Sequence, residues 1–234
     1  MVVPLLQPTV SQSPIMSDAT QNPPLPLGYS PLKPGQIANV VTCLEMLAPP
    51  APRPARAGDE AFVLEPWVRP SVADFRDLFR RVGEDWLWYS RLVMADEKLR
   101  AILDSPDVDL YRLYQGGEVL GLLELDFREK GQCELSFFGL VPAAIGKGAG
   151  RYLVDRGIAL AWNRGPDDKG GAKAPIQRLW VHTCTFDHPA ALGFYQKAGF
   201  KPYAFMVEVA EDPRRAGHLP RHAAPHVPLL EVKT

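Results

Sequence analysis

The chain lacks an excess of charge of either sign: 26 Lys and Arg stand against 27 Asp and Glu over 234 residues, a formal net charge of −1. That balance excludes a broadly basic nucleic-acid binder and a highly charged disordered chain. No apolar run approaches the ~20 residues of a membrane span, so no membrane partner is expected. The opening MVVPLLQPTV has no basic start and no long apolar core, and does not read as a secretion signal. Cysteine is scarce, with Cys43, Cys133 and Cys184 at no paired spacing. No disulfide framework and no zinc site follow, and a reduced, cytoplasmic protein is expected. Present instead are 46% hydrophobic residues, enough for one domain with a sizeable core.

Residues 1–56 hold 12 of the 24 prolines. The segment 1–38 is expected to be extended or disordered, with the domain over 39–210 and a polar, proline-containing tail over 211–234. Within the domain, Asn39–Leu47 reads as a strand, 48–60 as a linker, and AFVLEPWVR as a short extended piece. Ser71 starts a helix, with Asp74 at capping-box spacing, Val72, Phe75, Phe79 and Val82 at helical spacing, and Gly83 at its end. A second helix is expected over Ser90–Leu103. Three strand-like runs follow (VDLYRLYQ, EVLGLLELDF, CELSFFGLV), the first two joined by Gly116-Gly117, a hairpin signal. A helix from Ala149 to Asn163, a loop, the strand QRLWVHTCT, the short helix HPAALGFYQKAGF and the strand KPYAFMVEV complete the order β-α-α-β-β-β-α-β-α-β.

Gly146, Gly148 and Gly150 sit where a strand gives way to a helix, in GLVPAAIGKGAGR. The unpaired N–H groups of a first helical turn and the helix dipole favour an anion there, and glycine lets a phosphate approach the backbone. A tight turn needing one positive φ explains a single glycine but not three in alternation. Lys147 and Arg151 would add positive charge. A Walker loop is excluded because Gly148 stands where it keeps Ser or Thr. The dinucleotide fingerprint is excluded because the spacing is G-x-G-x-G and the preceding strands read as an antiparallel meander.

LVPAAIGKGAG and HPAALGFYQKAGF together resemble the GNAT superfamily of N-acetyltransferases. Pro142, Gly148 and Gly150 fall on the family's proline and two key glycines, with Leu140 in its valine place. Ile145 takes the place of its Arg or Gln. In the second motif His188 stands for the family's Asn, followed by Ala191, Tyr195, Gly199 and Phe200. The resemblance implies a mixed α/β domain with a mostly antiparallel sheet, helices on both faces, and its fourth and fifth strands splayed apart, those containing CELSFFGLV and QRLWVHTCT. It implies acetyl-CoA as the acyl donor and no metal. The pantetheine arm would lie along Leu140 and Val141. The pyrophosphate would rest on the loop Gly146, Lys147, Gly148, Ala149, Gly150 and Arg151, with His188 nearby.

Acetyl transfer needs a neutral nucleophile, and an alkyl amine of pKa ~10.4 is mostly protonated at pH 7. A base is therefore expected. Glu134, at the start of the fourth strand, is the first candidate, and an outward, solvated carboxylate is the equal alternative; Glu124 is the second candidate. Tyr195 matches the family's tyrosine and is expected to stabilise the departing thiolate, since a phenol at ~10 is a weaker acid than a thiol at ~8.5. Covalent catalysis by Cys184 is not expected. His218, His222 and His226 have i, i+4 spacing, but Pro220 and Pro225 forbid a regular helix there, so the tail reads as a surface segment.

The loop GEDWLWYSR, with Trp86, Trp88 and Tyr89, falls where this fold lines the acceptor pocket. Aromatic rings beside carboxylates suit a cationic amine with an apolar body, and the same rings would equally serve to pack helices together. The favoured acceptor is a small-molecule amine. A protein lysine or N-terminus as acceptor, and a non-catalytic acyl-CoA-binding module, stay open, as does a homodimer.

Overall fold

The computed structural model describes residues 22–165 and 174–230; the expected loop Gly165–Pro175 falls largely outside them, as does most of the proline-rich start. Of the unit Met1–Pro31, residues 22–31 are exposed and form neither helix nor strand. The unit Leu32–Thr234 contains all the regular elements found among the described residues.

Seven strands form one sheet: β1 (Gln36–Met46), β2 (Phe62–Pro66), β3 (Val108–Gln115), β4 (Glu118–Asp126), β5 (Gln132–Leu140), β6 (Arg178–Cys184) and β7 (Lys201–Glu211). Their order is β2-β3-β4-β5-β6-β1-β7. Every neighbouring pair is antiparallel except β5 with β6. The piece AFVLEPWVR is thus a true edge strand, and Pro66 fits there because an edge residue needs no outward donor.

The helices are α1 (Val72–Gly83), α2 (Ser90–Val93), α3 (Asp96–Leu103), α4 (Ala149–Trp162) and α5 (Ala191–Lys197). Ser71 caps α1: its hydroxyl accepts from the Asp74 amide at 3.0 Å and donates to the Asp74 carboxylate at 2.7 Å. Val72, Phe75, Leu78, Phe79 and Val82 form the buried stripe of α1, packed with α3 on one sheet face. α4 and α5 cover the other face, where Leu153 and Val154 meet Leu123, Leu125 and Leu135.

The single helix expected over Ser90–Leu103 is two. Met94 and Ala95 are extended between α2 and α3, and Arg76 fills the break. Its guanidinium donates to the Arg91 and Met94 carbonyls and pairs with Asp96 at 2.7 Å, so tertiary bonds replace the helical ones.

The tail also differs from expectation. Residues after β7 fold back, burying Leu219, Ala223, Ala224 and Val227 against Ile37 and Leu87. An Asp212–Arg214 ion pair is buried among them, and the guanidinium donates to the Ala223 and Val227 carbonyls. The polar composition concealed this because Arg214 satisfies the loop's carbonyls internally.

Candidate functional site

β5 and β6 pair over three residues only: Gln132 with Arg178, Cys133 with Leu179, and Glu134 with Trp180. Beyond Glu134 they diverge, so Glu134 stands at the apex of a V-shaped gap. The fourth and fifth strands of the sequence reading, β5 and β6 here, are thus splayed.

The ladder between β4 and β5 skips Ser136, pairing Glu124 with Phe137 and Leu125 with Leu135. Such a bulge re-aims side chains. Glu134 and Phe137 thereby share the α1 face, while Leu135 and Phe138 turn to the α4–α5 face, as their packing on Phe79 and on Phe194 records.

On the α1 face, Glu134 Oε1 lies 3.6 Å from Nδ1 of His182, and both side chains retain partial exposure. Burial lowers the imidazole's proton affinity, but the neighbouring Glu134 carboxylate, with the charges of Asp187 and Glu208, outweighs it, so the His182 pKa is raised. Glu124 is different. It is fully buried and paired with Arg91 at 2.5 Å. Burial raises its pKa against the opposing pull of Arg91. Its Oε2 finds no partner among the described residues. A carboxylate locked in a buried pair anchors α2 to β4 and is poorly placed to exchange protons with an incoming amine.

On the other face, Tyr195 is buried against Phe138, Phe194 and Phe200. Burial, then the charge of Asp187, push its phenol far above the ordinary range, so it stays a proton donor at any working pH. Burial and Asp187 likewise push the Cys184 thiol up to about 12. The thiol is thereby held protonated, which disfavours a nucleophilic role.

The glycine loop leads from the open end of the gap into α4. Leu140 ends β5 and Val141 follows it, with the Val141 amide bonded back to the Leu120 carbonyl. Gly146 and Gly148 both have positive φ, +81° and +87°, with nothing within 4 Å of a would-be Cβ. Gly148 is the N-cap of α4 and gives it no side-chain cap. The amides of Ala149, Gly150 and Arg151 therefore face outward without intrahelical acceptors. Gly150 needs neither positive φ nor extra room, since a Cβ there would sit 3.6 Å from Leu140. This bare, uncapped N-terminus beside an unpaired stretch of strand fits a diphosphate and its pantetheine arm. Lys147 is exposed on the loop.

Two expectations about side chains change. The Arg151 guanidinium turns away from the loop to the Pro54 carbonyl at 2.6 Å and Asp59 at 3.5 Å, because the proline-rich linker lies along α4. It adds no free charge to the loop. The His188 ring packs on Trp86, and its Nδ1 accepts from the Ala190 amide at 3.1 Å, so it shapes the turn before α5.

Of the aromatic loop, Trp88 reaches the gap itself. Its indole packs on Phe79 and Phe137 and donates to Asp187 at 3.2 Å. Gly139 of β5 admits it: a Cβ there would lie 3.1 Å from the Trp88 ring and 2.2 Å from Val82. Trp86 meets His188 edge-on and lies tilted against His226, and Tyr89 lies parallel to His218. Sequence reasoning missed His182 as a partner of Glu134, and Asp187 and Arg91 altogether. Alternation along QRLWVHTCT places His182 on one face, but nothing local shows which carboxylate it meets. Among the described residues no cluster of three His, Cys, Asp or Glu is placed to hold a metal ion, and no helix is long and apolar enough to cross a membrane.

Residues 72–200 match the acetyltransferase (GNAT) family model. No curated protein matches the chain. Among solved structures, a conserved protein of unknown function from Staphylococcus epidermidis is similar at 11% identity and TM-score 0.49, covering 76% of this chain and 64% of its own. A GNAT-family acetyltransferase from Novosphingobium aromaticivorans gives 14% identity and TM-score 0.47, covering 77% and 69%. The ribosomal-protein-S18-alanine N-acetyltransferase of Escherichia coli gives 13% and 0.45, covering 64% and 94%. The family match spans more than half of the chain, from the first residue of α1 to the phenylalanine that ends the second motif, and the chain therefore belongs to the acetyltransferase (GNAT) family of acyltransferases.

Proposed function

We propose that the chain is an acetyl-CoA-dependent N-acetyltransferase that moves an acetyl group directly to a primary amine of a small molecule. The observation that carries this reading is the placement of Glu134 and His182 at the apex of the β5–β6 gap, on one face, with Tyr195 on the other. Three free thiols suit a reducing cytoplasm.

Acetyl-CoA supplies an activated acyl group. The amides of Gly146, Gly148, Ala149, Gly150 and Arg151 would hold its diphosphate, with Lys147 beside them and the backbone of Leu140 and Val141 along its arm. On the α1 face, the amine enters protonated, and releasing that proton at pH 7 costs roughly 4–5 kcal/mol. Neutral His182 takes that proton before attack and frees the nitrogen lone pair, while Glu134 orients the imidazole and stabilises the imidazolium that forms; the second N–H proton, lost as the amide forms, goes to the departing thiolate. Tyr195 donates a hydrogen bond to the departing sulfur. Its raised pKa keeps the proton on the phenol, so it stabilises charge without completing a transfer. Trp88, with Trp86 and Tyr89 behind it, gives the amine's apolar body a wall, and Asp187 sets the indole's orientation.

CoA release measured with a panel of primary amines tests the reading. Tyr195→Phe is expected to lower kcat about 10- to 100-fold while acetyl-CoA binding stays near wild type. Binding of acetyl-CoA without turnover of any amine sinks the enzyme reading and leaves an acyl-CoA-binding module.

A further inference from the structure

Residues 212–227 lie beyond the 72–200 span that matches the family, yet they touch both loops at the mouth of the gap. His226 Nε2 is 2.8 Å from the Phe186 carbonyl, and its ring lies 5.6 Å from Trp86. His218 stacks parallel on Tyr89 at 6.3 Å, and His222 approaches Glu84 at 3.8 Å. Each histidine of the i, i+4 trio therefore meets an acceptor-side segment. The arrangement is built. Arg214, 3% exposed, ties Asp212 to the Ala223, Val227 and Pro228 carbonyls and closes the segment on itself.

A second observation points the same way. Leu87, between the two tryptophans, has φ +57°, ψ +31° and is buried against Leu219, Ala223 and Val227. A bulky residue holds the left-handed conformation only where its surroundings fix it. That turn sends Trp86 toward His188 and His226, and Trp88 toward Phe137 and Asp187.

We propose that the C-terminal strap, Asp212–Val227, is a wall of the acceptor pocket: by clamping Leu87 and joining the loop 84–89 to the turn 186–188 it sets the direction of Trp86 and Trp88, and so the affinity for the amine. It has no part in holding acetyl-CoA, whose loop lies at α4. The inference rests on the proposed acetyltransferase function. His226 is a positioning residue in this scheme.

The test uses the full chain with spermidine, tyramine and histamine as amine probes. His226→Ala, at an exposed position, removes the bond to Phe186 and the contact with Trp86. It is expected to raise the amine KM about three- to tenfold, with kcat and the acetyl-CoA Kd unchanged. His226→Gln, which keeps a donor for the Phe186 carbonyl, is expected to recover most of the loss. Truncation after Glu211 removes the strap entirely, and hydrogen exchange at the Leu87 and Trp88 amides reads the clamp directly, with faster exchange expected in both variants. Unchanged amine KM in His226→Ala overturns the proposal, as does unchanged exchange at 87–88. Loosened exchange with unchanged KM shows a clamp without an acceptor role and overturns it too. Wild-type chain that binds acetyl-CoA but acetylates none of the amines overturns the proposed function and the acceptor role together, and its acetyl-CoA Kd separates that case from a failed strap.

Discussion

Gly150→Ala separates the two reasons a chain has for placing glycine in a helix. Gly150 is the second residue of α4 and lies in ordinary helical backbone, so the substitution meets no φ penalty. Its new Cβ finds Leu140 at 3.6 Å and Phe194 at 3.8 Å, both normal contacts. Alanine is the better helix former by roughly 0.5–1 kcal/mol. In a domain of this size that corresponds to a Tm increase of roughly 1–4 °C. The methyl group, however, adds bulk beside the first-turn amides proposed to hold the diphosphate and would push it off one of them. Losing one hydrogen bond to a charged group costs about 1.5–3 kcal/mol, equivalent to about a 10- to 150-fold weaker Kd. Thermal melting without ligand and calorimetric titration with acetyl-CoA measure both quantities on one variant. The expected result is a higher Tm together with a weaker Kd. A higher Tm with Kd unchanged within about twofold would refute the assignment of this loop to the diphosphate. Gly148 cannot serve, because its φ of +87° strains any side chain and confounds folding with binding.

Arg91→Ala leaves the fully buried Glu124 uncompensated and is expected to destabilise the chain by about 3–5 kcal/mol, read as a lowered urea midpoint with the slope unchanged. Glu134→Gln removes the group that raises the His182 pKa, so the acid limb of the kcat/KM profile is expected to move to lower pH while kcat falls; a limb that does not move separates Glu134 from His182. The sign for stability is opposite. The Glu134–His182 pair stabilises the fold fully below the ordinary histidine pKa of ~6.5 and progressively less as pH rises through the raised value, so the melting difference between wild type and Glu134→Gln is expected to be larger at acid than at alkaline pH. Cys184→Ser is expected to retain at least about half of wild-type activity, because the thiol is protonated throughout the working range; an inactive but folded variant would restore the cysteine as a candidate.

Local chemistry was legible in the chain. The stripe Val72, Phe75, Phe79 and Val82 and the cap at Ser71 fixed α1, because helical period and capping act within a few residues. The two motifs around Gly148 and Tyr195 identified the family, because both lie within single strand-helix units. Relations across elements were not legible. The bulge at Ser136 that puts Glu134 and Phe137 on one face is set by the pairing of β5 with β4. The 3.6 Å approach of His182 to Glu134 arises from the three-residue parallel pairing of β5 with β6. Arg76, from another helix, split the expected second helix by binding its carbonyls. The tail looked like a surface segment because its composition is polar, and only the closed loop around Arg214 shows how polar residues bury Leu87. The glycine-rich stretch thus specified by itself a bare helix start without a side-chain cap, since backbone amides at a helix start need only local sequence. Which side chains face the reacting groups was decided by the fold, because side chains distant in sequence are brought together only by strand register and helix packing.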